Sequence, residues 1–196
     1  TGTTTRPPLT TVLPRPAAER TLAPDVDQTG ALDRFSALGR TALPLSAGSW
    51  VDGRLYLRFE GCDATLESVE RRVGGEAIPD ADAFWTSLRE QTHPFFGGVL
   101  PLWRCTVPSL APPLPLDGGP LMEWNGLQRW YRCAPDTPAF AAAAAAGGHA
   151  TLFRHRPDGA DAFASLAEPV VRLQRDLKRV FDPAGILNPG RLYAGL

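Results

Sequence analysis

The chain has 196 residues, 43% of them hydrophobic, which supports one sizeable core and is a poor fit to two full domains. Its Lys+Arg count of 20 against 21 Asp+Glu leaves a net charge of -1, so no overall field draws in nucleic acid or an anionic membrane, and nucleic acid is not expected as a partner. Three cysteines without CxxC spacing argue against a disulfide framework and against structural zinc, no stretch approaches the roughly 18 apolar residues of a membrane-spanning helix, and a reducing cytoplasm is the expected compartment.

Residues 1–8 are rich in Thr and Pro, lack an apolar period and read as a linker remnant; Leu9 to Pro14 reads as a short strand opening a domain that runs from 9 to 196. Thr1 to Pro16 has no signal-peptide layout, and with Met122 as the one methionine the chain reads as a fragment or processed product. Thr29 to Leu43 spaces Leu32, Phe35, Leu38 and Leu43 as a helix does. Arg54 to Glu60 alternates Leu55, Leu57 and Phe59 with charged and polar neighbours, the pattern of a half-buried strand. Asp63 is placed to cap the following helix, whose Leu66, Val69 and Val73 share a face and which stops at Gly74-Gly75.

Further along, the sequence predicts a helix over 80–91, a strand over 102–107, a proline-rich loop to Gly119, strands near 121–124 and 128–132, an alanine-rich helix over 138–146 and a strand over 149–154. Two α/β halves with short connections predict an α+β fold, a ferredoxin-like antiparallel sheet with helices packed on one face. Ser165 to Phe181 carries Leu166, Val170, Leu173, Leu177 and Val180 at steps of three and four, and ends at Asp182-Pro183 because proline disfavours helical geometry in the residue before it. An extended tail, Ile186 to Tyr193, follows.

The run from Leu177 through Phe181-Asp182-Pro183-Ala184-Gly185-Ile186-Leu187-Asn188-Pro189-Gly190-Arg191 resembles the ending of FAD-linked oxidases of the vanillyl-alcohol oxidase superfamily. Three stretches narrow the resemblance toward the glycolate oxidase E-subunit family: Leu102-Trp103-Arg104 leading to Val107-Pro108, Glu123-Trp124-Asn125-Gly126 leading to Arg129-Trp130, and Gly147-Gly148-His149-Ala150-Thr151-Leu152-Phe153-Arg154. The resemblance runs from about Leu9 to the end and implies a C-terminal cap domain whose N-terminal FAD-binding domain is absent from the chain. It further implies FAD as cofactor of the parent subunit, with weak or no binding by this fragment, and a short 2-hydroxyacid such as glycolate as substrate. The implied partners are the FAD domain of the same subunit, a catalytic flavoprotein subunit and an iron-sulfur subunit, which would place the chain in the cytoplasm or at the inner face of the membrane. The glycine pairs of this chain are isolated and read as helix stops and turns, since none forms a GxGxxG element between strand and helix.

Flavin oxidation of a 2-hydroxyacid needs the carboxylate held and the hydroxyl proton accepted. Arg104 is the candidate for the first task, with Trp103 beside it at the substrate; an arginine stacked on Trp103 at the surface is the alternative. His149, after two glycines that would allow close backbone approach to a ligand, is the candidate base; a satisfied core or edge histidine is the alternative. His93 reads as a packing residue and His155 as solvated. Relatives with a metal carry a second histidine seven residues after the first and a later Glu-His-Gly, whereas Arg156 stands at that spacing here, so no metal is expected. Trp124, Arg129 and Trp130 either line a flavin or partner surface or form core aromatics with a surface arginine. Asn188 and Arg191 are candidates for cofactor or interdomain contact, with a chain-terminating wrap as the alternative. A cap without its FAD domain is expected to expose an apolar face, around Trp103, Trp124, Trp130 and the Ile186-Leu187 tail, and to self-associate.

Overall fold

Local sequence and sheet pairing together build a sheet of eight strands from two units that share one strand order. The computed structural model describes residues 16–190 and Tyr193, so the predicted strand at Leu9 to Pro14 and the linker lie outside the described residues. The first unit runs β1 (Ala18–Ala23), α1 (Gln28–Leu38), β2 (Leu45–Val51), β3 (Arg54–Gly61), α2 (Asp63–Val73) and β4 (Glu76–Ile78). Next come α3 (Asp82–Arg89) and a 3-10 turn at Pro94–Phe96. The second unit is β5 (Leu102–Thr106), β6 (Leu121–Glu123), β7 (Gln128–Arg132), α4 (Ala139–Ala145) and β8 (His149–Arg154), and α5 (Glu168–Phe181) is the last helix among the described residues.

The strand order is β4-β1-β3-β2-β6-β7-β5-β8, and every pairing is antiparallel. Read from its outer edge, each unit has its strands in the order fourth, first, third, second, as a split β-α-β unit does. In the second unit the proline-rich loop after Thr106 stands where the first unit has α1. The halves meet through β2 and β6 at Trp50 and Met122. The antiparallel α+β class is as the sequence predicts, but the sheet holds two such units rather than one.

Alternation sets the two faces. In β3, Leu55, Leu57 and Phe59 point to the side where Leu32 and Phe35 of α1 and Leu66 and Val69 of α2 form a core. The same side continues into the second unit as Trp103, Cys105, Tyr131, Ala150 and Leu152 beneath Ala139 and Ala143 of α4. Helices are not confined to that face. Tyr56 of β3 points the other way and stacks on Phe84 of α3 at 3.9 Å, the Trp85 indole donates to Thr21 Oγ1 at 2.9 Å, and Leu88 joins Val51, Phe96, Leu102, Leu121 and Trp130 in a second core. The expectation of helices on one face therefore holds for α1, α2 and α4 and is corrected for α3, whose apolar residues cover the half of the opposite face that its own strands leave bare.

Two helix starts depart from the prediction. Cys62 occupies the N-cap position of α2 and Asp63 is its first residue, where the carboxylate still complements the positive end of the helix. The last helix begins at Glu168, because Pro169 is tolerated only in a first turn. No residue of α5 is buried, and Leu173, Val180 and Phe181 are 60%, 74% and 80% exposed, so its apolar stripe faces outward.

The corner after α5 has its own anchor. The Asp182 carboxylate accepts from the amides of Ile186 at 3.1 Å and Leu187 at 2.9 Å and pairs with Lys178 at 2.9 Å. The Lys178 bond, then the two amides, hold its pKa below the ordinary value. A depressed carboxylate stabilises the fold above its unfolded value of about 3.9 and loses that contribution as pH falls through the folded value. Asp182→Asn is thus expected to speed limited proteolysis after Phe181 at pH 7, and the difference from the parent chain should vanish in strong acid.

Candidate functional site

The open part of the sheet face opposite α1, α2 and α4 carries two of the candidate residues, Arg104 and His149. In β5, Trp103 and Cys105 point into the core under α4, so Leu102, Arg104 and Thr106 point to the open side. Arg104 pairs in register with Trp130 of β7 and Thr151 of β8, and its guanidinium lies 5.3 Å from the centroid of the half-exposed Phe153 ring. Thr106 pairs with His149, which puts His149 on the same side as Arg104, one diagonal step away and on the order of 7–8 Å between backbones. The two residues singled out for carboxylate binding and proton acceptance thus share one face of adjacent strands. Neither takes part in an ion pair among the described residues.

Other candidates separate. Trp103 lies on the helical side, 2% exposed, its ring 5.1 Å edge-on from Phe140, and it does not share a face with Arg104. The cation-π partner of Arg104 is accordingly Phe153. The glycines before His149 serve the backbone: Gly147 adopts φ 78 to end α4, and a Cβ on Gly148 would collide with the Thr106 carbonyl and sit 2.8 Å from Val107 Cα, so the close approach there is to the end of β5. His93 packs, as expected, accepting the Phe95 amide at Nδ1 and lying edge-on to Phe84; burial lowers its pKa. Asn188 is exposed in the corner after α5, and Arg191 lies outside the described residues.

Trp124, Arg129 and Trp130 fall into three environments. Arg129 is fully buried, donating to the carbonyls of Gly126 at 3.0 Å, Pro112 and Ala111, and burial lowers its pKa. It clamps the proline-rich loop that stands in place of a helix. Trp130, 2% exposed, packs edge-on to Phe96 and Phe153 on the opposite face, and its indole donates to Glu123, which also accepts from Gln128 at 3.0 Å. Trp124 is 68% exposed.

Beside Trp124 a cleft of about 770 Å³ opens between β2, β3 and α3, lined among others by Ser46, Arg58, Trp85, Arg89, Trp124 and Asn125. Trp124 and Asn125 belong to a stretch that carries the family resemblance, but nothing in the sequence marks Arg58 or Arg89, which reach the cleft only because α3 crosses to this face. Among the described residues no group of three or more His, Cys, Asp or Glu side chains is arranged to hold a metal ion. A dinucleotide pyrophosphate needs glycine-rich backbone at a helix N-terminus. Here Gly74-Gly75 and Gly147-Gly148 follow helices, and Gly97-Gly98 and Gly118-Gly119 lie in loops, so the described residues do not fit that group. What they offer is an open sheet face and a cleft.

Comparison with known proteins finds two similarities. Residues 160–192, which include α5 and the Asp182 corner, match the family of FAD linked oxidases, C-terminal domain. Over 186 residues the chain is 38% identical to the glycolate oxidase subunit GlcE of Escherichia coli (strain K12), covering 94% of this chain and 52% of that protein. The chain thus spans about half the length of the curated relative it matches. No solved structure matches it. Both findings support the resemblance read from the sequence, a C-terminal domain of the GlcE kind.

Proposed function

We propose that this chain, a C-terminal domain of the FAD-linked oxidase type similar to glycolate oxidase subunit GlcE, is the cap of an FAD-dependent oxidoreductase subunit that oxidises glycolate or a similar short 2-hydroxyacid. The observation that carries this reading is the 38% identity over 94% of the chain, joined to an open sheet face on which Arg104 and His149 lie together. A flavin held by the other half of the subunit would supply the hydride acceptor. Arg104 offers a planar fork of donors to the substrate carboxylate and fixes the acid by two parallel bonds. His149 accepts the hydroxyl proton at a ring nitrogen. Expression of the full subunit, followed by flavin analysis of the purified protein, tests the reading: bound FAD is expected, and a full-length subunit that carries none overturns it.

A second reading is favoured by His149 being exposed with no carboxylate partner among the described residues. In it the domain is a structural or electron-relay part that binds a catalytic flavoprotein subunit and an iron-sulfur subunit without turning over substrate. Residence in the cytoplasm, or at the inner face of the membrane through that complex, belongs to both readings, and no helix among the described residues is long and apolar enough to cross a membrane.

Self-association of the isolated chain belongs to the same proposal, with its surface relocated. Trp103 and Trp130 are core residues, so the expected apolar face cannot be centred on them. The outward stripe of Val170, Leu173, Leu177 and Val180, with Ile186 and Leu187 beyond, takes their place as the surface that the other half of the subunit would cover. Sedimentation of the chain is expected to show association at high concentration, and Leu173→Glu with Leu177→Glu should return it to a monomer; a parent chain that is strictly monomeric would count against the proposal.

A further inference from the structure

We propose that Phe153 is a positioning residue for Arg104, its ring holding the guanidinium on the open sheet face in the orientation that a carboxylate meets. Arg104 is a side chain that needs such a holder. Among the described residues its guanidinium makes no hydrogen bond and no ion pair, and it lies 5.3 Å from the centroid of the Phe153 ring. A free arginine gives up rotamer freedom when it closes on a ligand, and a ring that holds the planar fork beforehand lowers that cost.

The strand is built to put the ring there. Alternation along β8 sends Leu152 into the core beneath α4 and Thr151 and Phe153 to the open face. Leu102 pairs with Arg154 but Trp103 pairs with Leu152, so Phe153 is an extra residue in a bulge, a device that re-aims side chains. Arg154, which strict alternation would turn to the helical side, therefore stays with Phe153 on the open face, where its guanidinium donates to Gln91 and lies 5.7 Å from the same ring. Trp130 backs the ring: it is 2% exposed, in register with Arg104, edge-on to Phe153 at 5.1 Å, and its own indole is fixed by Glu123. Glu123 does not compete for Arg104, because it stands on β6, two strands away, and accepts from Trp130 and Gln128. Phe153 itself stays 39% exposed. A ring so firmly seated and yet open on one side offers a cation its face, which burial would have denied.

The proposal rests on the reading above for its ligand, a substrate carboxylate at Arg104, and two measurements keep the two apart. In the 196-residue chain, nuclear magnetic resonance should find the Arg104 Nε proton shifted by the ring current; Phe153→Leu should return it to the position of a solvated arginine, and Phe153→Tyr should keep the shift. In the full-length subunit, Phe153→Leu should raise KM for glycolate about threefold, the scale of one cation-π contact at a half-exposed site, with a smaller change in kcat, and Phe153→Tyr should recover most of the loss. Made in the Arg104→Ala background, Phe153→Leu should raise KM no further, since a residue that acts through Arg104 then has nothing to act on. An unshifted Arg104 resonance overturns the proposal. So does a KM that Arg104→Ala raises and Phe153→Leu does not, or one that Phe153→Leu raises equally with Arg104 absent. A subunit in which Arg104→Ala changes nothing overturns the functional reading instead, and the resonance then decides whether Phe153 holds the guanidinium.

Discussion

Arg129→Ala is expected to destabilise the domain by about 3–5 kcal/mol, because it strips the donors from two buried carbonyls and one partly buried one at once. The carbonyls of Ala111 and Pro112 belong to the loop that stands in for a helix, and that of Gly126 belongs to the turn between β6 and β7, so one side chain fastens two irregular segments that have no ladder of their own. Domains of this size have a total stability of about 5–15 kcal/mol, so the variant should be largely unfolded at modest urea. Urea denaturation followed by circular dichroism measures the loss. Arg129→Lys, which keeps the charge but not the planar fork, should fall in between. A fully stable Arg129→Met would show that the loop is held by its prolines and by Leu114 and Leu116 instead.

Arg104→Ala in the full-length subunit is expected to lower kcat/KM for the 2-hydroxyacid about a hundredfold, the effect of removing one charged partner from a desolvated carboxylate. Arg104→Lys should recover part of it. His149→Ala should lower kcat by about 10²–10⁴, the usual range for loss of a general base. Steady-state kinetics of the single and double variants decide between the two readings: the catalytic one requires both losses, and full activity of the Arg104→Ala, His149→Ala protein would assign turnover to another subunit. Arg104 lies on the sheet surface and not in a core, so circular dichroism of its variants should match the parent and separate binding from folding.

Legibility of the fold in the sequence followed the strength of local pattern. Leu55, Leu57 and Phe59 revealed β3, and the three- and four-residue steps of 166–180 revealed α5, because each period is satisfied by one geometry alone. β1 and β2 were not legible. Ala18–Ala23 mixes alanine with charge, and Leu45–Val51 is broken by Gly48 and by a register shift between Leu45 and Ala47, so both become strands through their pairing with β3. The Asp182 corner was legible as a definite tail, though its anchor, a carboxylate folded back on two amides, depends on atoms brought together only after the helix forms.

Alternation fixes which strand residues share a side but not which side the helices take. From the sequence alone Trp103 and Arg104 look like neighbours at one site; in the sheet they are successive residues and so face opposite ways, one into the core beneath α4 and one onto the open face. Arg129 reads as a surface charge until the proline-rich loop closes over it, and Arg58 and Arg89 acquire a shared cleft only when α3 packs across the other face. The sequence by itself determined the family resemblance, the antiparallel α+β class and the candidates Arg104 and His149, because motifs and short periods are local. Only the tertiary structure decided which of the candidates share a surface, because that depends on register and on which face each helix covers, and both are settled by contacts between residues distant along the chain.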